Sequence, residues 1–328
     1  MPRLSMATID GVPVTDTAAP GTSGLLLKRR MRRKPALLAP GAFDALSALL
    51  IEQAGFEAMF ISGSGISYTQ LARPDIGLIS LDQLCQVTRR VRERLSTPLI
   101  VDADNGFGDA INVEHTVRAL ERAGASAVLI DDQAFPKRAG ALSGKTFVTP
   151  ATMAEKVRAA VNARREATTL VIARTDVLPH EGLDAALARA HLYVEAGADA
   201  LFIDQPRSVE DYQRIAAEFP DVPLVANMIE GGSSPALGAS ELSELGYGLV
   251  ISSGSLVRGF AAMAERLLAV LKRDGSTAAL SDELLTFGAL NERLGLSEIA
   301  EQGRRFDPAF RLETLMDADK NKTPEPNA

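Results

Sequence analysis

One phrase recurs along this chain, and it narrows the fold to a small set. Glu52-Gln53-Ala54-Gly55-Phe56-Glu57-Ala58-Met59-Phe60-Ile61 is echoed by Glu121-Arg122-Ala123-Gly124-Ala125-Ser126-Ala127-Val128-Leu129-Ile130 and by Glu195-Ala196-Gly197-Ala198-Asp199-Ala200-Leu201-Phe202-Ile203. A shorter echo is Leu245-Gly246-Tyr247-Gly248-Leu249-Val250-Ile251. Each reads as a helix end, a glycine cap, a tight turn and a buried strand. Helix-to-strand junctions repeated in this way build a parallel sheet with helices outside it.

Filling the intervals gives eight strand candidates, near Ala36–Pro40, Ala58–Ser62, Pro98–Asp104, Ala127–Gln133, Leu170–Asp176, Ala200–Gln205, Pro223–Ile229 and Gly248–Ser253. Helical patterns such as Val113–Ala123, Met153–Ala163 and Leu183–Ala196 separate them. Eight βα units in about 235 residues match an α/β fold of the (β/α)8 TIM-barrel type. A doubly wound open sheet is the competitor, but no G-x-G-x-x-G opens a helix after the first strand. The expected organisation is an N-terminal tail over residues 1–22, a catalytic barrel over 23–274 and a helical C-terminal extension over 275–328. That extension carries short helices near Leu284–Leu294 and Leu296–Gly303, and both chain ends read as disordered or frayed.

Composition excludes several classes. With 46% apolar and 23% charged residues and a net charge of −7, the chain is an ordinary globular protein with no nucleic-acid surface. The one basic run, Lys28 to Lys34, follows Leu25-Leu26-Leu27 and reads as the solvated face of a first helix; the alternative is a binding arm. No apolar stretch reaches membrane-spanning length, so no membrane role is expected. Cys85 is the only cysteine and sits in a helical pattern, where a small buried apolar role is expected. No intrachain disulfide can form, which fits a reducing, cytoplasmic setting.

In such a barrel, chemistry gathers at the C-terminal ends of the strands. Val101-Asp102-Ala103-Asp104-Asn105-Gly106-Phe107-Gly108 puts two carboxylates two residues apart at a strand end, and alternation predicts that they share a side. All-oxygen ligands suit Mg2+, or Mn2+, better than zinc. The competing reading is a solvated strand end with an Asx-turn. Other strand ends carry Ser62-Gly63-Ser64-Gly65, Asp131-Asp132-Gln133, Arg174-Thr175-Asp176, Asp204-Gln205, and Asn227 followed by Glu230. So many acids at one mouth cannot all ionise without a metal or cationic partners. Arg174 is the natural fork for a substrate carboxylate or phosphonate, unless it only neutralises neighbouring acids. The Ser62–Gly65 turn offers backbone N–H groups to an anion. Lys137-Arg138-Ala139-Gly140-Ala141-Leu142-Ser143-Gly144-Lys145 reads either as a mobile loop over an anionic substrate or as a plain surface loop.

The stretch from Pro40 to Gly275 resembles the isocitrate lyase/phosphoenolpyruvate mutase superfamily. The carriers are Ser62-Gly63-Ser64-Gly65, Arg73-Pro74-Asp75-Ile76-Gly77, Val101–Gly108, Asp132-Gln133 followed by Pro136-Lys137-Arg138, Ile172-Ala173-Arg174-Thr175-Asp176, and Ala226-Asn227-Met228-Ile229-Glu230-Gly231. The nearest branch is that of methylisocitrate lyase, dimethylmalate lyase and carboxyphosphonoenolpyruvate mutase. The resemblance implies a homotetramer and Mg2+ held largely through water by Asp102 and Asp104, with Asp131 and Asp204 as further metal positions. It implies that Phe43, Ser62, Gly63, Ser64, Arg174, Asn227 and Glu230 bind a small anionic carboxylate. Asp75, Arg174, Lys137 and Arg138 match active-site positions.

The chain also departs from the pattern. The lyase loop reads Lys-Arg-Cys-Gly-His, where this chain has Lys137-Arg138-Ala139-Gly140-Ala141. Asp131 and Asp204 stand where the lyases have Glu, and Phe43 where Tyr is common. Losing a general acid/base removes about 10²–10⁴ in rate. Decarboxylation of a β-keto acid needs no such group. His180, in Leu178-Pro179-His180-Glu181-Gly182, is a candidate replacement; the alternative is a solvated loop residue. The expected function is a Mg2+-dependent carbon–carbon lyase working through an enolate on a 2-oxo or 2-hydroxy di- or tricarboxylate. Phosphonopyruvate hydrolase or phosphonomutase chemistry, and a degenerate barrel that only binds an α-keto acid, are the alternatives.

Overall fold

The computed structural model describes residues 22–138, 142 and 144–307, together with Thr8–Ile9 paired antiparallel with Val12–Pro13. The rest of the expected N-terminal tail, the end of the chain from residue 308, and Ala139, Gly140, Ala141 and Ser143 lie outside the described residues. All eight expected strands are present: β1 (Leu37–Ala42), β2 (Met59–Ile61), β3 (Leu99–Asp102), β4 (Ala127–Asp131), β5 (Leu170–Thr175), β6 (Ala200–Ile203), β7 (Val225–Asn227) and β8 (Leu249–Ser252). They pair in parallel in the order β6-β5-β4-β3-β2-β1-β8-β7. A parallel bridge from Leu201 to Leu224 joins the two ends, so the sheet is a (β/α)8 barrel.

Parity along the strands sorts the side chains into two layers. Phe60, Ile100, Leu129, Ile172, Phe202, Val225 and Ile251 belong to one buried cluster with Leu27 and Met31, which is the barrel interior. Val101, Val128, Ile130, Val171, Ala173, Leu201 and Ile203 belong to a second cluster, packed against the surrounding helices. Leu27 is buried in the helix Thr22–Arg30 and Met31 is buried just beyond it, so a first helix does form, but it ends at Arg30 and the rest of the basic run, Arg32 to Lys34, lies in the exposed turn that follows.

The helices follow local rules. Leu81–Arg92 starts with a reciprocal Ser80–Gln83 capping box and carries Cys85 buried, as expected. Ala110–Ala123 is capped by Asp109 and stopped by Gly124 at φ +101°, the left-handed turn that the recurring Ala-Gly pair supplies. Pro150–Ala163 and Leu183–Glu195 match the expected segments. The chain divides into a compact unit from Met1 to Phe260 and a second from Ala261 to Ala328, and the division falls inside the helix Ser255–Asp274. The second unit contains the helices Phe287–Arg293 and Leu296–Phe306. No described helix is long and apolar enough to cross a membrane.

Candidate active site

The inward parity of the strands continues past their ends. Two residues beyond Ile100, Leu129, Ile172, Phe202 and Val225 come Asp102, Asp131, Arg174, Asp204 and Asn227, so one geometric rule turns all five toward the barrel axis. The register sets Asp131 beside Arg174, and Arg174 beside Phe202, whose ring lies 4.9 Å from the guanidinium carbon. Asp132 has the opposite parity. It points outward and is buried on Thr175 Oγ1 (2.7 Å), Tyr193 OH (3.0 Å) and Arg189 Nη1 (3.4 Å), where it ties the barrel to its helices. It is therefore absent from the group of acids at the mouth.

Asp102 and Asp104 do face each other, but strand alternation is not the reason. β3 ends at Asp102, and Asp104 has a left-handed backbone, φ +50°. A turn brings it back: the Asp104 amide donates to Asp102 Oδ1 (3.2 Å), and the Gly106 amide to the Ala103 carbonyl (2.8 Å). Buried Lys156 donates from below to the Asn105 carbonyl, and Thr116 Oγ1 donates to that of Gly106 (3.1 Å). A Cβ at position 63 would lie 3.4 Å from Asp104 Oδ1 and 3.5 Å from Asp102 Oδ2, so Gly63 leaves room in front of both carboxylates.

Lys137 sits among these acids, 3% exposed. Its Nζ donates to Asp75 Oδ2 (3.0 Å) and to Asp104 Oδ1. Burial would lower its pKa, but Asp104, Asp102, Asp75 and Asp131 outweigh that and hold the ammonium well above its ordinary range. Arg174 donates from Nε to Asp176 Oδ1 (2.5 Å) and from Nη2 to Asp204 Oδ2 (2.7 Å). Asp176 also accepts from Lys145 Nζ (2.7 Å) and Gln133 Nε2 (2.7 Å). Burial opposes its ionisation, yet Arg174 and Lys145 hold its carboxyl down at about 2.

The cations do not balance the acids. Asp75, Asp102, Asp104, Asp131, Asp176 and Asp204 are all buried, against Lys137, Lys145, Lys156 and Arg174. Burial together with Asp102 and Asp75 pushes Asp104 up to about 6, and burial with Asp176 pushes Asp131 up to about 7. Asp75 Oδ1 is buried with no hydrogen-bond partner among the described residues. A divalent cation fits this excess of oxygen and negative charge. Among the described residues, however, no three acidic, histidine or cysteine side chains converge as a ready ligand set. Asp131 Oδ1 accepts from the Gln133 amide (3.0 Å), and Asp204 is held by Arg174. The arrangement fits a cation bound by Asp102 and Asp104 with water completing its shell.

A cavity of about 160 Å³ opens above these groups. Ser62, Ser64, Asp75, Asp102, Lys137, Arg174, Asp204, Asn227 and Glu230 line it. Ser62 Oγ caps the short helix Gly63–Ile66 through the Gly65 amide (3.1 Å) and pairs with Ser64 Oγ (3.0 Å). The first-turn N–H groups of Gly63 and Ser64 stand outside that helix's own ladder.

Other expected site residues lie elsewhere. Phe43 is buried edge-on to Phe260, with ring centroids 6.4 Å apart, and Arg138 hydrogen-bonds Gln133 Oε1 through its amide (2.9 Å); neither lines the cavity. His180 is exposed, its ring 5.3 Å from that of Phe147, and the fold does not bring it to the cavity. Sequence reasoning missed Tyr68, Ser253 and Arg258, which do line it. Arg258 holds Glu230 and Ser255 Oγ donates to the same carboxyl (2.6 Å). The signal for this side was Ser252-Ser253-Gly254-Ser255 at the end of β8, a serine–glycine stretch like Ser62–Gly65.

Residues 27–271 match the family model described as phosphoenolpyruvate phosphomutase. The chain is 43% identical over 263 residues to a 2-methylisocitrate lyase of Aeropyrum pernix, covering 80% of this chain and 84% of that one. Its fold is similar to that of oxaloacetate acetylhydrolase in complex with the inhibitor 3,3-difluorooxalacetate (TM-score 0.80, 28% identity, 86% of this chain and 96% of that one). It is similar, too, to phosphonopyruvate hydrolase in complex with oxalate and Mg2+ (TM-score 0.77, 28% identity, 87% and 99%).

Proposed function

The chain belongs to the isocitrate lyase/phosphoenolpyruvate mutase superfamily, and on that premise we propose that it is a Mg2+-dependent carbon–carbon lyase (Mn2+ being an acceptable substitute) that decarboxylates a β-keto dicarboxylate such as oxaloacetate. The observation that carries this reading is the single small cavity in which Arg174, Lys137 and the Ser62–Ser64 turn face Asp102 with Asp104 behind it. Retro-aldol cleavage of the kind named for the Aeropyrum relative needs a base at the substrate hydroxyl and an acid at the departing carbon. Ala139 and Ala141 supply neither. Decarboxylation needs only charge stabilisation.

Asp102 and Asp104 would hold the cation largely through water, and it would supply Lewis-acid polarisation of the keto acid's adjacent oxygens. Arg174, fixed by Asp176 and Asp204, presents its guanidinium to the carboxylate that stays. As the C3–C4 bond breaks, its electron pair moves into C2–C3 and CO2 leaves. The charge that develops on the C2 oxygen is met by the Gly63 and Ser64 amides and by the Lys137 ammonium, which stays charged and donates hydrogen bonds rather than a proton. C3 then takes a proton from water, giving pyruvate. The bound oxalate and difluorooxalacetate of the similar structures have the shapes of the enolate and of the keto acid.

We extend the same reading to a cytoplasmic homotetramer: Leu268, Leu285, Phe287 and Ile299 of the C-terminal unit are exposed apolar residues that subunit packing would cover. A turnover screen with Mg2+ over oxaloacetate, methylisocitrate, dimethylmalate and phosphonopyruvate tests the reaction, with Asp104→Ala as control. CO2 release from oxaloacetate that is lost in the control is expected. Product from phosphonopyruvate alone would overturn the proposal.

A further inference from the structure

Asp132 stands outside the acids of the mouth, yet it places a fully buried carboxylate one position past the end of β4. The β4–β5 ladder closes with the Asp131–Arg174 pair, and the Asp132 side chain carries the pairing further. Its Oδ1 accepts from the Asp176 amide (3.0 Å) and its Oδ2 from Thr175 Oγ1 (2.7 Å). From the outer side, Tyr193 OH (3.0 Å) and Arg189 Nη1 (3.4 Å) reach the same Oδ2; both are buried, one turn apart on the helix Leu183–Glu195. Arg189 Nη1 also donates to the Val148 carbonyl (2.8 Å), and the Val148 amide donates to the Asp132 carbonyl (3.0 Å). That fastens the segment following Lys145 to the same point.

Three ties on Asp176 therefore lead back to this one residue. Asp132 holds the Asp176 backbone, and Gln133, the next residue, donates to Asp176 Oδ2 (2.7 Å). Lys145, from the segment that Asp132 and Arg189 anchor, donates to the same oxygen (2.7 Å). Asp176 in turn takes two donors of Arg174, Nε at 2.5 Å and Nη2 at 3.1 Å, a fork that sets the plane of the guanidinium. We infer that Asp132, backed by Arg189 and Tyr193, is a positioning residue for Arg174: it fixes Asp176, and through Asp176 the direction in which the guanidinium meets a substrate carboxylate. The inference rests on the proposed role of Arg174. A packing role alone calls for no charge here, since apolar side chains of like volume join strand to helix without the penalty of burying a carboxylate. What the charge adds is direction. Four donors converge on it from the end of β5 and from the helix, so neither can shift without breaking hydrogen bonds.

The test uses full-length protein, with Mg2+ binding and the binding of oxalate to the Mg2+-loaded protein each measured by calorimetry. Asp132→Asn should weaken oxalate roughly tenfold and raise KM for oxaloacetate with kcat little changed, the pattern of lost uniform binding. The Kd of Mg2+ should stay within about twofold, because Asp102 and Asp104 are shaped by their own turn. Arg174→Lys should weaken oxalate too, and adding Asp132→Asn to it should bring no further loss, since the aspartate acts through the arginine; independent effects would multiply. Tyr193→Phe, which takes one hydroxyl from Asp132, is the second variant in case Asp132→Asn fails to fold, with a loss of about threefold expected. An unchanged oxalate Kd in both variants overturns the inference, as does joint weakening of oxalate and Mg2+ or a multiplied loss in the double variant. Oxalate held as tightly by Arg174→Lys as by the parent refutes the role of Arg174, and the inference falls with it; a weakened Arg174→Lys beside an unaffected Asp132→Asn refutes the inference alone. Oxalate binding needs no turnover, so the expected oxalate pattern without CO2 release refutes the reaction and supports the positioning.

Discussion

Replacing Lys137 by Met tests the electrostatic core of the site most directly. The side chain is 4% exposed and bonds to Asp75 and Asp104, themselves 3% and 4% exposed. Methionine keeps the length and apolar stem but removes the charge, leaving two buried carboxylates facing Asp102 with no ammonium between them. Removing one partner of a buried ion pair costs about 3–5 kcal/mol. At about 2–4 °C per kcal/mol for a domain of this size, the metal-stripped variant should melt roughly 6–20 °C below the parent. A cation taken up by Asp102 and Asp104 would offset part of that loss, by about 2.7 kcal/mol at a hundredfold excess over its Kd. The assay is urea unfolding followed by far-UV circular dichroism, on stripped protein and on the same protein with Mg2+. Stability within about 1 kcal/mol of the parent would refute the buried pairing. A full loss that is indifferent to Mg2+ would refute the cation site.

Other expectations follow from the same geometry. Ala139→Cys combined with Ala141→His restores the loop acid/base pair and should give methylisocitrate cleavage at least about 10²-fold above the parent, read by succinate release; no gain would show that the loop is not what separates the two reactions. Lys156→Met removes the prop beneath the Asn105 carbonyl and should weaken Mg2+ binding by roughly 10–100-fold in calorimetry, with Lys156→Arg retaining it; unchanged affinity would make Lys156 a packing residue only. Asp176 has its pKa lowered from 3.8 to about 2, so its stabilisation is present above 3.8 and lost as pH falls through about 2. Asp176→Asn should therefore flatten the stability–pH curve across that interval, and an unaltered acid limb would contradict the assignment.

The sequence made the barrel legible because its signals are local. Strand, cap and helix periodicity each span a few residues, and the recurring Ala-Gly junction, with its Leu-Gly echo, places β2, β4, β6 and β8 within one residue of their observed starts. Strand parity was legible as well, and it correctly turns Asp131, Arg174 and Asp204 inward. It was not applied to Asp132, one position on, which was grouped with the mouth acids although it faces Tyr193 and Arg189. For Asp104 the right neighbour came from the wrong rule, since a left-handed residue after the strand end does what alternation was expected to do. The contact of Lys137 with Asp75 joins residues 62 positions apart across two loops, and no spacing rule encodes it.

That long-range lysine also explains how an acid-rich mouth can exist before any cation arrives. Acids buried without counter-charge would protonate or force the barrel open. Lys137, Lys145 and Arg174 pay part of that cost; Lys137 joins Asp75 to Asp104, Arg174 joins Asp176 to Asp204, and Lys145 adds a second cation on Asp176, so together they hold the mouth in shape. Burial, together with compensation that stops short of neutrality, keeps Asp104 and Asp131 above the usual carboxylate range. On the proposed reaction, a site so arranged would meet charge that develops and departs, as in the loss of CO2. Ala139 and Ala141 bring no ionisable pair to the loop, so on the same reading a substrate whose cleavage waits on protonation at carbon would stall there.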